Sequence, residues 1–151
     1  MTLAVLADRT VAALRLLPEG RYYRQSLGDP WPVAVVGPTG GFVVWPRGYP
    51  ESLRMRDGTI VVDGRPTDPF ADARRVRDEV ARRFAATGAA LEATALVVVE
   101  SRAVIPPALH AGHRGVRVVH VEELAGAVTF GPQLASDVVG RAVQAVGGLR
   151  A

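Results

Sequence analysis

The sequence predicts an α/β domain in which a mixed central β-sheet with antiparallel hairpins is flanked by helices. Two apolar runs, residues 33–36 and 42–45, are joined by a Gly-Pro-Thr-Gly-Gly turn and are typical of strands covered on both faces. The pairs Asp57-Gly58 and Asp63-Gly64 are strong turn signals. A long helical pattern and two further apolar runs follow, and the hairpins argue against a purely parallel sheet.

The first half of the chain is predicted to hold one helix and several short strands. Residues 3–17 place Leu3, Leu6 and Leu14 on one face, and Pro18 stops this predicted helix. Residues 53–56 alternate apolar and charged side chains, which is typical of a half-buried strand. The other strands predicted in this half are residues 21–27, 33–36, 42–45 and 59–62, with a turn at Gly28-Asp29-Pro30.

The second half begins with the clearest helical pattern. Over residues 70–84, apolar side chains recur at spacings of three and four. Residues 95–99 and 116–121 are apolar runs and predict buried strands. Residues 122–128 predict a short helix, and residues 132–146 an amphipathic helix with Pro132 near its first turn. We expect a single domain over residues 1–151.

The composition excludes several classes of site. The chain has no cysteine, so disulfides and thiolate zinc sites are excluded, and a reducing, cytoplasmic location is expected. The N-terminal residues show no signal-peptide pattern and no apolar run reaches membrane-spanning length, so we expect no membrane association. All 18 basic residues are arginine, as in proteins from GC-rich genomes, so no lysine can serve in catalysis. The net charge of +3 permits binding to a polyanion.

Residues 34–44, AVVGPTGGFVV, and the later stretch LRMRDGTIVVDGRPTDPF resemble the nuclease-related domain (NERD), a branch of the restriction-endonuclease-like superfamily. In this family an Asp-His pair precedes three apolar residues and Gly-Pro-x-Gly, and the next strand ends in Glu-x-Lys. The similarity extends from the first to the last helix and is strongest over residues 31–84. Gly41 stands where the family has an aliphatic residue. The resemblance implies a restriction-endonuclease-like fold.

The catalytic positions of the family are filled differently in this chain. The Asp-His pair falls on Pro32 and Val33, the Glu on Trp45, the Lys on Arg47, a Gln of the long helix on Asp72, and an acidic residue of the first helix near Asp8. Nucleases of this superfamily hold Mg²⁺ with carboxylates, and the metal activates the attacking water. Pro32 and Trp45 offer no oxygen ligand, and Arg47 cannot act as a base.

The sequence therefore predicts a non-catalytic nuclease-like domain, a pseudo-nuclease, that binds nucleic acid or a protein partner and needs no cofactor. One alternative is an active nuclease that uses Mg²⁺ held by relocated carboxylates, the candidates being Asp8, Asp29 and Asp72. Asp29 lies three residues before Pro32, so a regular strand would point it to the opposite face, and its turn-like setting gives it a structural role instead. Another alternative is a structural subunit of a complex or a homo-oligomer.

Four residues are candidates for binding nucleic acid. Trp45 and Arg47 are two apart, so a base could stack on the indole while the guanidinium binds a phosphate. Arg54 and Arg56 would extend this basic strip. The competing interpretation is a packed tryptophan beside a solvated arginine.

Two other groups of polar residues favour simpler interpretations. The arginines of the long helix alternate with acids, and the pairs four apart predict a solvated, salt-bridged face: Arg74–Asp78, Arg75–Glu79, Asp78–Arg82 and Glu79–Arg83. His110 and His113 lie in a predicted loop and His120 on a predicted strand. Without a carboxylate close by before Glu122, these histidines predict no metal site.

Overall fold

The computed structural model describes residues 1–148, which form helices and strands in the predicted α/β order. The helices are α1 (Leu3–Arg15), α2 (Ala71–Ala86), α3 (Pro107–Ala111), α4 (Leu124–Thr129) and α5 (Ser136–Gly147), with a 3₁₀ turn at Val121–Glu123. The strands are β1 (Tyr23–Ser26), β2 (Val33–Gly37), β3 (Gly40–Pro46), β4 (Arg54–Arg56), β5 (Thr59–Val62), β6 (Arg65–Pro66), β7 (Ala93–Val99) and β8 (Val116–His120).

The central sheet is mixed, as predicted. Its strand order is β1-β2-β3-β7-β8, in which β1, β2 and β3 are antiparallel neighbours. Strands β3, β7 and β8 run parallel, with Gly41 opposite Ala93 and Pro46 opposite Val98. Parallel neighbours need a long crossover connection. Between β3 and β7 this crossover contains strands β4, β5 and β6, which form a separate small sheet, and helix α2.

Both faces of the central sheet are covered, which explains its continuous apolar runs. On one face, Phe42 and Val44 of β3 pack in a cluster with residues of α1 and α4. On the other face, Val43 packs with Val80 and Phe84 of α2 and with residues of α5. Alternate side chains of one strand therefore enter two different cores.

A separate antiparallel sheet, β4-β5-β6, covers the end of the second face. The predicted hairpin turn at Asp57-Gly58 and the predicted turn at Asp63-Gly64 are confirmed, and both join antiparallel strands. Both pairs have positive φ at the two central positions, as type I′ turns require. The inner side of this sheet is anchored by Leu53 and Ile60, which pack in a cluster with Phe70.

Two predictions about the C-terminal half are wrong in detail. Helix α5 begins at Ser136 rather than at residue 132. The intervening residues are tied to other parts of the fold, since the Leu134 N–H donates to the Pro38 carbonyl (2.6 Å) and Gln133 accepts from Arg21 (2.8 Å). The predicted loop containing His110 includes helix α3 instead. Within residues 1–148, no helix is both long and apolar enough to span a bilayer.

The predicted ion pairs of α2 form only in part. Within the described residues, Glu79–Arg83 is present at 3.8 Å, but Glu79 also pairs with Arg82, three residues on. Arg74 pairs with Asp68 before the helix. Asp78 contacts the adjacent Arg77 (3.0 Å) instead of Arg74 or Arg82, so partners nearby in the sequence replace most of the pairs expected at a spacing of four.

Gly41, on β3, is packed against helix α2, and this packing gives a direct test of the fold. A Cβ added there would lie 2.5 Å from the ring of the fully buried Phe84. We expect Gly41→Ala to destabilise the protein by about 1–3 kcal/mol because this core has no space to accept the methyl group. Urea unfolding measures the change.

The matched control is Gly140→Ala on α5, where an added Cβ meets no atom within 4 Å. That substitution should stabilise the protein by up to about 1 kcal/mol, because alanine is the better helix former. Equal effects at the two positions would contradict the packing of Phe84 against β3.

Candidate functional site

The carboxyl ends of the parallel strands β3 and β7 border a cleft of about 480 Å³. Open α/β sheets bind ligands at this edge. Charged side chains of both signs line the cleft, among them Arg47, Glu51, Glu100 and Arg102. The family positions corresponding to Glu-x-Lys lie at the same edge, because β3 ends at Pro46.

Arg47 holds three parts of this region together. Its backbone N–H donates to the Val98 carbonyl (2.9 Å), which extends the pairing of β3 with β7 by one residue. Its Nη1 donates to Asp72 Oδ1 at 2.8 Å, and Nη2 lies 3.5 Å from the Pro69 carbonyl. The guanidinium carbon stands 4.8 Å from the centre of the Trp45 ring, within the range of a cation–π contact.

Trp45, Arg47 and Asp72, which the sequence motif aligns with catalytic positions of the nuclease-related domain, therefore meet in space, but their side chains contact one another. Trp45 is half-buried, and Arg47 lies against its ring and pairs with Asp72. The side chains of Arg47 and Asp72 are 25% and 36% exposed, so the pair is partly shielded from water. The indole and the guanidinium predicted to bind a base and a phosphate are instead engaged with each other.

The pKa of Asp72 is lowered. Desolvation is the largest single influence and favours the neutral acid, but it is outweighed by the hydrogen bonds from Arg47 and from the Ala73 N–H (2.8 Å), together with the charge of Arg47. The carboxylate is therefore ionised at neutral pH, and Oδ1 already accepts both hydrogen bonds.

The candidate relocated ligands are not brought together. Asp8 is exposed on α1, Asp29 is exposed between β1 and β2, and Asp72 is paired with Arg47. Over residues 1–148, no group of three or more histidine, aspartate or glutamate side chains could hold a metal ion. Pro32, at the family's aspartate position, is buried just before β2.

Arg54 and Arg56 are placed differently from Trp45 and Arg47. Both are exposed on β4, while Met55 between them packs toward the core cluster. Arg54 Nη1 donates to the carbonyls of Glu51 (3.1 Å) and Leu53 (2.8 Å). Among the ion pairs of the described residues, none includes Arg54 or Arg56.

A second polar cluster at the end of β8 was missed in the sequence. Glu123 contacts two imidazoles: His110 Nε2 lies 2.9 Å from Oε2, and His120 Nδ1 lies 3.0 Å from Oε1. Glu122, the first carboxylate that follows His120 in the sequence, instead accepts a hydrogen bond from Ser101. The available signal was the three-residue spacing from His120 to Glu123 at the start of a helical turn, which is that of a capping box.

The charge on Asp72 can be tested without removing its side chain. Asp72→Asn should lower the free energy of unfolding at neutral pH by about 1 kcal/mol or less, since a partly exposed ion pair and a charge in the first turn of α2 are both lost. Because folding lowers the pKa of Asp72, this stabilisation is present above the ordinary value of 3.8 and is lost as the pH falls below it. Urea unfolding at several pH values measures the difference.

Asp137→Asn on α5 is the control, because Asp137 is 67% exposed and its contact with Arg141 is 3.9 Å long. We expect a smaller effect there. A destabilisation by Asp72→Asn that persists unchanged into acid would show that the ion pair with Arg47 is not its cause.

Comparisons of this chain with protein-family models, with curated proteins and with solved structures found no match. The resemblance to the nuclease-related domain therefore depends on the sequence motif. The functions drawn from that resemblance are proposals.

Proposed function

We propose that this chain is a non-catalytic nuclease-like domain that binds nucleic acid through the outer face of the small sheet, with Arg54 and Arg56 as phosphate-binding residues. Support for the absence of catalysis comes from the ion pair between Arg47 and Asp72 beside Trp45. Support for binding comes from the exposure of two neighbouring arginines without a carboxylate partner in the described residues.

The Arg47 guanidinium disfavours a metal at this position. A divalent cation would stand beside a fixed positive charge, and Asp72 Oδ1 already accepts hydrogen bonds from Arg47 and Ala73. A metal-dependent nuclease needs carboxylate oxygens that are free to ligate and to lower the pKa of a bound water. Trp45 supplies an indole instead.

The resemblance itself is compatible with the observed topology. The two strands of the family motif are β2 and β3, paired as an antiparallel hairpin in the middle of the sheet. Strand β3 then reaches the carboxyl edge, where Trp45 and Arg47 occupy the Glu-x-Lys positions. The long helix starts beside this edge, and Asp72 in its first turn contacts Arg47.

The exposure of Arg54 and Arg56 is the observation that carries the binding proposal. Residues two apart on a strand point to the same face, with their Cα atoms about 6.5–7 Å apart. Arginine binds phosphate oxygens with paired N–H groups. Such contacts contribute affinity without distinguishing one base sequence from another, and they weaken as the salt concentration rises. Asp57, at the tip of the same hairpin, is exposed, and its negative charge repels phosphate. We therefore expect the strand face, rather than the tip, to approach phosphates.

Salt-dependent binding tests this proposal. We expect the wild-type protein to bind duplex DNA of arbitrary sequence, with an affinity that falls as salt is raised. Arg54→Ala/Arg56→Ala should weaken binding on all sequences and reduce the slope of log affinity against log salt by about 2, or about 1 for each phosphate contact. Fluorescence anisotropy over a salt titration measures both quantities.

Arg82→Ala/Arg83→Ala is the control, because it makes the same change in net charge on α2, where both arginines pair with Glu79. It should leave the slope nearly unchanged. Equal losses in the two variants would assign binding to net charge rather than to β4. Undetectable binding of the wild type at low salt would reject the proposal.

A cleavage assay tests the absence of catalysis separately. With Mg²⁺ or Mn²⁺ present, we expect plasmid and single-stranded DNA to remain intact, because no group of three or more acidic or histidine side chains within residues 1–148 could hold a metal ion. Cleavage that is lost in Asp8→Ala, Asp29→Ala or Asp72→Ala would instead establish the alternative of relocated ligands. Agarose gel electrophoresis with a metal-chelator control gives the readout.

A further inference from the structure

The imidazole of His120, at the carboxyl end of β8, is held by a contact at each ring nitrogen and lies outside the site around Arg47. Its Nε2 lies 2.7 Å from the carbonyl oxygen of Ala103, and its Nδ1 lies 3.0 Å from Glu123 Oε1. Both neighbours are oxygens, and the carbonyl can only accept. The side chain is 29% exposed, so water does not fully replace these contacts.

Donor counting shows what this arrangement requires. A neutral imidazole has a single N–H, so it can donate either to Ala103 or to Glu123, and its other nitrogen then presents a lone pair to an oxygen. The imidazolium has two N–H groups and satisfies both acceptors. The backbone N–H of His120 also donates to Glu123 Oε1 (3.0 Å), which holds the carboxylate in place.

Glu123 is suited to the role of counter-ion. Desolvation, the largest influence, favours its neutral form, but hydrogen bonds from His110 and from the His120 backbone outweigh it and lower the pKa of this carboxyl group. His110 Nε2 needs one proton to donate to Oε2 (2.9 Å), and a neutral ring supplies it. Of the two rings, only His120 faces an oxygen acceptor on each nitrogen.

The segment tied by this contact is a wall of the cleft. Glu100, Arg102, Ala103 and Val104 follow β7 and line the 480 Å³ space. The same segment is also bound to the 3₁₀ turn by Ser101, which donates to Glu122. Two contacts thus connect the loop after β7 with the turn after β8, and one of them depends on the proton of an imidazole.

We propose that His120 is a proton-operated clamp on the cleft wall: the imidazolium donates to both the Ala103 carbonyl and the Glu123 carboxylate, and loss of either proton leaves one of these contacts without a donor and so loosens the loop from the turn after β8. Histidine side chains commonly change charge between about pH 5 and pH 8. The loop is therefore held more firmly at the acid end of this range. The clamp does not depend on nucleic-acid binding by β4.

Several charged groups surround the clamp. Glu123 and Glu122 belong to its own turn, and His110 comes from α3. The pKa of Glu122 is lowered mainly by the hydrogen bond from Ser101 and by a backbone hydrogen bond, against desolvation. His120 and Arg9 of α1 lower this pKa further by their charge. Arg117 of β8 donates to the carbonyl of His110 (3.0 Å). The loop itself carries Arg102 and Glu100, and Glu100 pairs with the N-terminal ammonium of Met1 (3.4 Å). The nearest contacts of the His120 ring are those to Glu123 and Ala103.

Two measurements on the folded protein test the clamp. Imidazole ¹H–¹⁵N spectra distinguish the imidazolium from the two neutral tautomers, and the chain has three histidines to assign. We expect His120 to carry protons on both nitrogens at about pH 5.5 and on one at about pH 8.5. Over this range, amide exchange of residues 101–104, corrected for intrinsic rates, should become about fivefold faster, the factor expected for one hydrogen bond.

Variants separate the clamp from general effects of pH. His120→Gln should remove the pH dependence of loop exchange, and His113→Gln, which changes a histidine outside the cluster, should retain it. Glu123→Gln should also remove the dependence while the loop stays protected, because its amide can donate to Nδ1 of a neutral His120. If His120→Gln does not fold, the Glu123→Gln variant and the imidazole spectra of the wild type still test the clamp.

Three results would overturn the clamp. The first is a singly protonated His120 at about pH 5.5. The second is loop exchange that is independent of pH in the wild type. The third is an unchanged pH dependence in a folded Glu123→Gln variant.

Discussion

The parallel pairing of β3 with β7 is the constraint on which the rest of the structure depends. Gly41 to Pro46 pair in register with Ala93 to Val98, and the N–H of Arg47 adds one more bond to Val98. Since a parallel pair needs a long crossover, the intervening chain must return to the amino end of the sheet. In doing so it lays α2 across the face and places Asp72 beside the carboxyl end of β3.

Packing keeps this arrangement in one register. A shift of β3 by one residue would exchange its two faces, turning Phe42 and Val44 toward α2 and Val43 toward α1. Gly41 adds a steric condition, because the ring of Phe84 lies where a side chain at that position would project. The space beside Gly41 is therefore filled by Phe84 of α2 rather than left open.

The polar groups at the carboxyl edge follow a common physical rule, which is that a partly buried charge is stable when a partner neutralises it. Arg47 and Asp72 form one such pair, and Glu123 with two imidazoles forms another. The two groups differ in consequence. The arginine stays charged at any ordinary pH, so its pair lasts as long as Asp72 is ionised, whereas the contacts of an imidazole depend on which of its nitrogens carry protons. Arg54 and Arg56 remain outside this rule because they are solvated.

The sequence by itself determined the class of fold, the strands that build the central sheet, the two Asp-Gly hairpin turns and the long helix α2. These features are local, because hydrophobic periodicity and turn residues act within a few positions of the chain. The tertiary structure alone decided that Arg47 meets Asp72 and covers Trp45, that α5 starts at Ser136, and that Glu123 joins two histidines. Each of these depends on which segments, distant in the sequence, come into contact, and local periodicity carries no information about such contacts.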